Sequence, residues 1–164
     1  VAASQCQARD LGAQLHMGIR FFDLRVRPSG GLCHGVVSCG LTLQQAMLCF
    51  KTFLHSHPRE VIVIRVKNEA QGTRGSSKRV DELMNSLAES ADHKFYLQQR
   101  LPKMGEVRGR IVLLADWVGA KFGIPWRGKL FRIQDEYRCK TGDDKWQVVE
   151  RTLQATGPVE AQMS

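Results

Sequence analysis

Apolar and polar positions follow two rhythms along the chain. The helical one is clearest after Thr42, where Leu43, Met47, Phe50 and Leu54 recur at spacings of four, three and four with Ala46 and Phe53 beside them. That spacing predicts an amphipathic helix burying one stripe. Thr42 is its predicted N-cap, Gln45 stands at the capping-box distance, and Pro58 closes the segment. The other rhythm is the unbroken apolar run. Val61 to Ile64, within residues 60–67, and Ile111 to Leu114, within residues 110–115, predict strands buried on both faces, as in a parallel sheet. Weaker stripes predict helices over residues 3–17 (Ala8, Leu11, Leu15) and 77–99 (Val80, Leu83, Met84, Leu87). A short strand over 129–134 and a last helix to about residue 155, capped by Asp143 or Asp144, complete the pattern. Residues 1–157 are expected to form one domain, with 158–164 a polar tail.

The chain is organised around residues 18–35. Ile19, Phe21, Leu24 and Val26 give this stretch the bulk of a strand, and Pro28, Gly30 and Gly31 end it as a turn. Asp23 and Arg25 lie two apart, so on a strand they share a face. A charged pair on so apolar a strand is costly unless the two groups satisfy each other or serve a site. The turn returns the chain to Leu32-Cys33-His34-Gly35, so a carboxylate, a guanidinium and an imidazole can share one small volume. On these residues alone, a buried ion pair with a loop histidine is an equal alternative.

Helices alternate with strands along the chain, which predicts an α/β fold with parallel strands. Polar residues gather just past successive strands: Asp23 and Arg25, Lys67 and Glu69, Asp116, then Asp135 and Tyr137. In a β/α barrel such ends converge on one rim, where active sites sit. Four placements on one rim favour a functional site over the bland alternative.

Charge and cysteine content change this picture little. A net charge of +8 favours anionic partners, but no helix–turn–helix, zinc-finger or RNA-binding aromatic motif is present, so nucleic acid is not expected. No apolar run approaches the roughly 18 residues of a membrane span. The first residue is Val1 and no signal peptide is visible, so the chain is expected to be processed or a piece of something longer. Of five cysteines, Cys33 and Cys39 are close enough to bridge a loop, and the odd total leaves a thiol free.

Four ordered segments resemble the X domain of phosphatidylinositol-specific phospholipase C in its bacterial, single-domain form. They are Gly18-Ile19-Arg20-Phe21-Phe22-Asp23-Leu24-Arg25, then Cys33-His34-Gly35, then His57-Pro58-Arg59-Glu60 through Lys67-Asn68-Glu69, and Gly109-Arg110-Ile111-Val112-Leu113-Leu114 followed by Ile133-Gln134-Asp135-Glu136-Tyr137. The resemblance implies a partial, distorted TIM-type β/α barrel. It implies a phosphodiesterase that cleaves phosphatidylinositol to diacylglycerol and a cyclic inositol phosphate, the inositol 2-hydroxyl attacking phosphorus. By resemblance His34 is the general acid, Arg25 the phosphate clamp and Asp23 the group that orients Arg25. Lys67, Glu69, Asp116, Asp135 and Tyr137 are the implied substrate-binding residues, with Tyr137 stacking on the inositol ring. Calcium-dependent relatives carry an acidic ligand where Arg25 stands, so no metal or other cofactor is expected. The implied partner is a phosphatidylinositol headgroup at a membrane surface, and the implied location is outside the cell, peripheral at membranes.

The chain also departs from that pattern. The family's general base lies in a Pro-Gly-Thr-His-like segment that is absent from these 164 residues, and His16, His55, His57 and His93 match no such motif. Asp116 stands where bacterial relatives have an arginine. The chain is expected to be incomplete at both ends and weakened in catalysis for want of the base. The alternative is a non-catalytic pseudoenzyme that binds phosphoinositides or membranes.

Overall fold

Three parallel strands carry the fold, and their shared register decides what faces the helices. The computed structural model describes residues 7–90 and 94–156. The chain divides into two compact units, Val1–Trp126 and Arg127–Ser164. In the first unit β1 (Phe21–Val26), β4 (Ile62–Asn68) and β6 (Ile111–Asp116) pair in parallel. An antiparallel hairpin of β2 (Gly31–His34) and β3 (Val37–Thr42) extends the β1 edge. Two short strands, β5 (Phe95–Tyr96) and β7 (Ile124–Pro125), both lie on β6. The sheet order is β3-β2-β1-β4-β6-β5. Among the described residues the sheet is open, so it forms part of a barrel rather than a closed one.

One sheet face is apolar except for Asn68 at the end of β4. Phe22, Leu24 and Val26 of β1, Ile62, Ile64 and Val66 of β4, and Ile111, Leu113 and Ala115 of β6 are all buried. They form one cluster with α2 (Leu43–Ser56), through Ala46, Met47, Phe50 and Leu54, and with α3 (Ser76–Glu89), through Val80 and Met84. The Phe22 and Phe50 rings meet at 4.7 Å. Strand β4 is fully buried on this face only, its other residues being half-buried, whereas all six residues of β6 are buried. The expectation of burial on both faces therefore holds for β6 and in part for β4.

Helix α2 starts as the sequence predicts. The Thr42 hydroxyl accepts from the Gln45 N–H at 3.2 Å, and the Gln45 side chain accepts from the Thr42 N–H at 2.9 Å. Thr42 is also the last residue of β3, so strand and helix abut with no linker. The Leu43 N–H reaches back to the Gly30 carbonyl at 2.8 Å.

Elsewhere the boundaries shift. Helix α1 is Leu11–His16, because Asp10 caps it by accepting from the Ala13 N–H at 2.7 Å. Residues 7–10 are not helical, and residues 3–6 of the expected helix lie outside the described residues. Helix α3 stops at Glu89 rather than residue 99. Phe95 and Tyr96 instead pair with Ile111 and Val112 as β5, where both aromatic rings are buried. A single turn, α4 (Met104–Val107), precedes β6. In the second unit, the strand expected over 129–134 is irregular chain, and its Gln134 side chain accepts from Lys145 of α5 (Gly142–Thr156) at 2.8 Å. Helix α5 is capped by Thr141, whose hydroxyl accepts from the Asp144 N–H at 3.1 Å while Asp144 accepts from the Thr141 N–H. No Cys33–Cys39 disulfide forms: Cys33 is buried and Cys39 exposed.

Two glycines test how closely β6 is approached. Gly109 has φ +71° and a Cβ there would stand 2.9 Å from the Pro58 carbonyl oxygen, whereas Gly119 has φ +75° and open space around it. Gly119→Ala should therefore cost only left-handed strain, about 1 kcal/mol. Gly109→Ala adds a backbone clash and should cost roughly 2–3 kcal/mol. Urea unfolding of the two variants side by side checks the difference; equal losses would mean that the Pro58 contact relaxes freely.

Candidate active site

A sheet with one face committed to helices has only its other face for chemistry. The register stacks that face in three layers. Phe21, Val63 and Val112 form an apolar floor. Asp23, Arg65 and Leu114 come next, then Arg25, Lys67 and Asp116 at the strand ends. Charge thus enters from the second layer onward, toward the strand ends.

The charged side chains form one continuous chain of ion pairs. Arg65 donates to Asp116 Oδ2 through both Nη2 and Nε, the latter at 3.1 Å. Its Nη1 donates to Asp23 Oδ2 at 2.9 Å. Arg25 lies between two carboxylates without closing on either: its Nε is 3.9 Å from Asp23 Oδ1 and its Nη1 is 3.6 Å from Glu69 Oε1. Lys67 Nζ meets Glu69 Oε2 at 3.0 Å. Exposure rises along the series, from 2% at Asp116 and 14% at Arg65 to 36% at Arg25. The Arg65 guanidinium also lies over the Trp126 ring, 4.6 Å from its centre, a cation–π contact.

Local backbone chemistry aims Glu69 at this cluster. The Asn68 side chain is fully buried; it donates to Ser76 Oγ at 3.0 Å and accepts from the Ala70 N–H at 3.0 Å. That turn ends β4, and the Glu69 N–H is held by the Val26 carbonyl of β1 at 3.0 Å. Burial alone would raise the Glu69 carboxyl. The Lys67 hydrogen bond and charge, the Arg25 charge and a hydrogen bond from the Gly35 N–H together outweigh it and hold the carboxyl below its ordinary value.

His34 is the last residue of β2 and is exposed. Its neighbour Cys33 is buried, with Sγ 3.7 Å from the Arg25 carbonyl, and Arg27 Nη2 donates to the Val36 carbonyl at 2.6 Å across the hairpin. Asp23, Arg25, Lys67, Glu69 and Asp116 are thus brought together by one chain of ion pairs through Arg65, while His34 stands at the end of β2. Asp135 and Tyr137 lie in the second unit on irregular chain, both exposed, and Arg138 stands 5.7 Å from the Tyr137 ring centre. His16 and His57 pack on Phe53 at the contact of α1 and α2, His57 stacked at 4.2 Å. His93 lies outside the described residues.

Sequence reasoning missed Arg65 and Trp126. The signal for Arg65 was available: it interrupts the run from Val61 to Val66 and lies two residues before Lys67, which fixes its face. Trp126 gave no such signal, because only the pairing of β7 with β6, and the Trp126 N–H to the Ala115 carbonyl at 2.9 Å, brings it to Arg65. Among the described residues no three His, Cys, Asp or Glu side chains gather as they would around a metal ion.

A family model described as phosphatidylinositol-specific phospholipase C, X domain, matches residues 1–116. The chain is 27% identical, over 93% of its length, to a 1-phosphatidylinositol phosphodiesterase of Listeria monocytogenes, of which it covers 52%. It is 26% identical, over 82% of its length, to a protein of the same name from Staphylococcus aureus, of which it covers 53%. It superposes on the solved structure of phosphatidylinositol-specific phospholipase C from Listeria monocytogenes with a TM-score of 0.80 and 27% identity, covering 94% of this chain and 60% of that one. The chain thus spans about half the length of the curated relatives it matches.

The paired state of Glu69 has a pH signature. A carboxyl held below its unfolded value stabilises the fold fully above that value, near 4.5, and loses the contribution as pH falls through the folded value. Stability measured in denaturant from pH 7 to pH 3 should fall along an acid limb that is shallower in Glu69→Gln. Parallel limbs in the two proteins would show that the Glu69 pairing adds nothing to folding.

Proposed function

This chain belongs to the phosphatidylinositol-specific phospholipase C X-domain family, and we propose that it is the site-bearing part of a phosphodiesterase that acts on phosphatidylinositol at a membrane surface. The observation that carries the proposal is the state of Arg25. Its guanidinium is steered by two carboxylates at 3.6 and 3.9 Å, beyond the usual reach of a hydrogen bond, so its fork of N–H donors remains available to a phosphodiester.

In this mechanism the inositol 2-hydroxyl gives its proton to a base, a role left to water in this chain alone, and attacks phosphorus as the bond from phosphorus to the glycerol oxygen breaks. Charge building on the phosphoryl oxygens meets Arg25. His34, protonated beforehand, delivers its proton to the departing glycerol oxygen, giving diacylglycerol and a cyclic inositol phosphate. Lys67 and Glu69 offer a donor and acceptors to the inositol hydroxyls; in the second unit, Asp135 and Tyr137 are further substrate-binding residues by the family resemblance alone. No histidine of the 164 residues is assigned the base role, so turnover by this chain alone is expected to be slow. A protein acting this way works on the membrane surface, and among the described residues no helix is long and apolar enough to cross a membrane. An extracellular location is part of the same proposal.

The deciding assay is release of cyclic inositol phosphate from phosphatidylinositol vesicles with chelator present. It compares this chain, its His34→Ala variant and the parent reading frame extended upstream. The extended form should be the more active one, should ignore chelator and should lose about 100- to 10,000-fold on His34→Ala. Vesicle binding without turnover in any form would favour the second reading, a phosphoinositide-binding pseudoenzyme.

A further inference from the structure

We propose that Arg65 is a positioning residue for Arg25: it holds the Asp23 carboxylate from the β4 side and so keeps it from closing on the Arg25 guanidinium. The proposal rests on the reading of Arg25 as a phosphate clamp. Asp23 stands between two guanidinium groups. One of its oxygens is 2.9 Å from Arg65 Nη1 and the other 3.9 Å from Arg25 Nε. Arg65 wins because it is anchored elsewhere. Asp116, 2% exposed, takes its Nε and Nη2, and the Trp126 ring covers its face. Fixed at several points in a site of low exposure, Arg65 loses little further freedom when it binds Asp23, and its hydrogen bonds there are stronger than they would be in water.

The alternative pairings are all within reach, which makes the choice informative. Lys67 stands directly across from Asp116 in the strand register, yet its ammonium meets Glu69 at 3.0 Å. Because Arg65 fills Asp116 diagonally, Lys67 is left to Glu69 and Asp23 is drawn off Arg25. Without Arg65, Asp23 has Arg25 as its nearest cation on the same strand. The two would close into a bidentate pair, and the donors meant for a phosphate would be spent inside the protein.

Removing Arg65 alone takes the guanidinium from a buried carboxylate, so the main variant carries Arg65→Met and Asp116→Asn together. Two quantities are measured on the full chain: inositol 1-phosphate affinity by calorimetry, and the Nε–H signal and exchange of Arg25 by NMR. The double variant should bind inositol 1-phosphate about tenfold more weakly, and its Arg25 Nε–H should be shifted and protected. Adding Asp23→Asn to it should recover much of the lost affinity, a rescue that a merely structural role of Arg65 would not give. Should the double variant fail to fold, Arg65→Lys decides alone, since a compact ammonium does not reproduce the three-point hold of the guanidinium on Asp116 and Asp23, and its Arg25 signal should move in the same direction. An unchanged Arg25 signal, or wild-type affinity in the double variant, would overturn the proposal. Wild-type protein that binds no inositol 1-phosphate would sink the phosphodiesterase reading instead, while the Arg25 signal would still decide the role of Arg65.

Discussion

The registers of β1 against β4 and of β4 against β6 are the constraint on which the rest depends. Side chains alternate across a strand, so once Phe22, Ile64 and Leu113 are committed to the helices, the odd positions of β1 and β4 must share the opposite face. A slip of one residue would send Asp23, Arg65 and Lys67 into the packing of α2 and α3. The cost of burying those charges beside Phe50 and Met84 is what protects the register, so the hydrophobic core and the site are specified by the same alternation.

The outcome of sequence reading divides along physical lines. Helix α2 was legible because its stripe, its cap and its stop all lie within 17 residues and need nothing from elsewhere in the chain. Strands β4 and β6 were legible because each carries a short unbroken apolar run, Val61 to Ile64 and Ile111 to Leu114. The failures were of the opposite kind. Phe95 and Tyr96 form a strand only because β6 offers an unpaired edge, and Asp10 ends α1 through a hydrogen bond that competes with continued helix. Within the candidate site, the residue types and the face of Asp23, Arg25 and Lys67 were readable from spacing. Which carboxylate binds which cation was not, since Asp116 prefers a diagonal partner to the one directly opposite. Such choices depend on side-chain reach and burial, which spacing does not encode.

The ion-pair chain also revises how the basic composition bears on binding. Asp116, Arg65, Asp23, Arg25, Glu69 and Lys67 contribute three charges of each sign, so the cluster itself is balanced and the +8 of the chain resides elsewhere. A balanced cluster does not attract an anion by net charge. It selects one by geometry, through donors held out of contact with their own neighbours, and that selection persists in salt better than an exposed basic patch would.

The abutment of β3 and α2 at Thr42 has a mechanical meaning. A loop would let the β2–β3 hairpin flex independently of the core. Here the strand passes into the helix without a spare residue, and the Leu43 N–H is pinned to the turn at Gly30. Hairpin and helix therefore behave as one lever whose fulcrum is the buried stripe of Phe50 and Leu54. A push on the exposed tip at Val36, two residues from His34, is borne by the rigid interior of the molecule rather than absorbed by local bending. The imidazole rides on the stiff end of that lever.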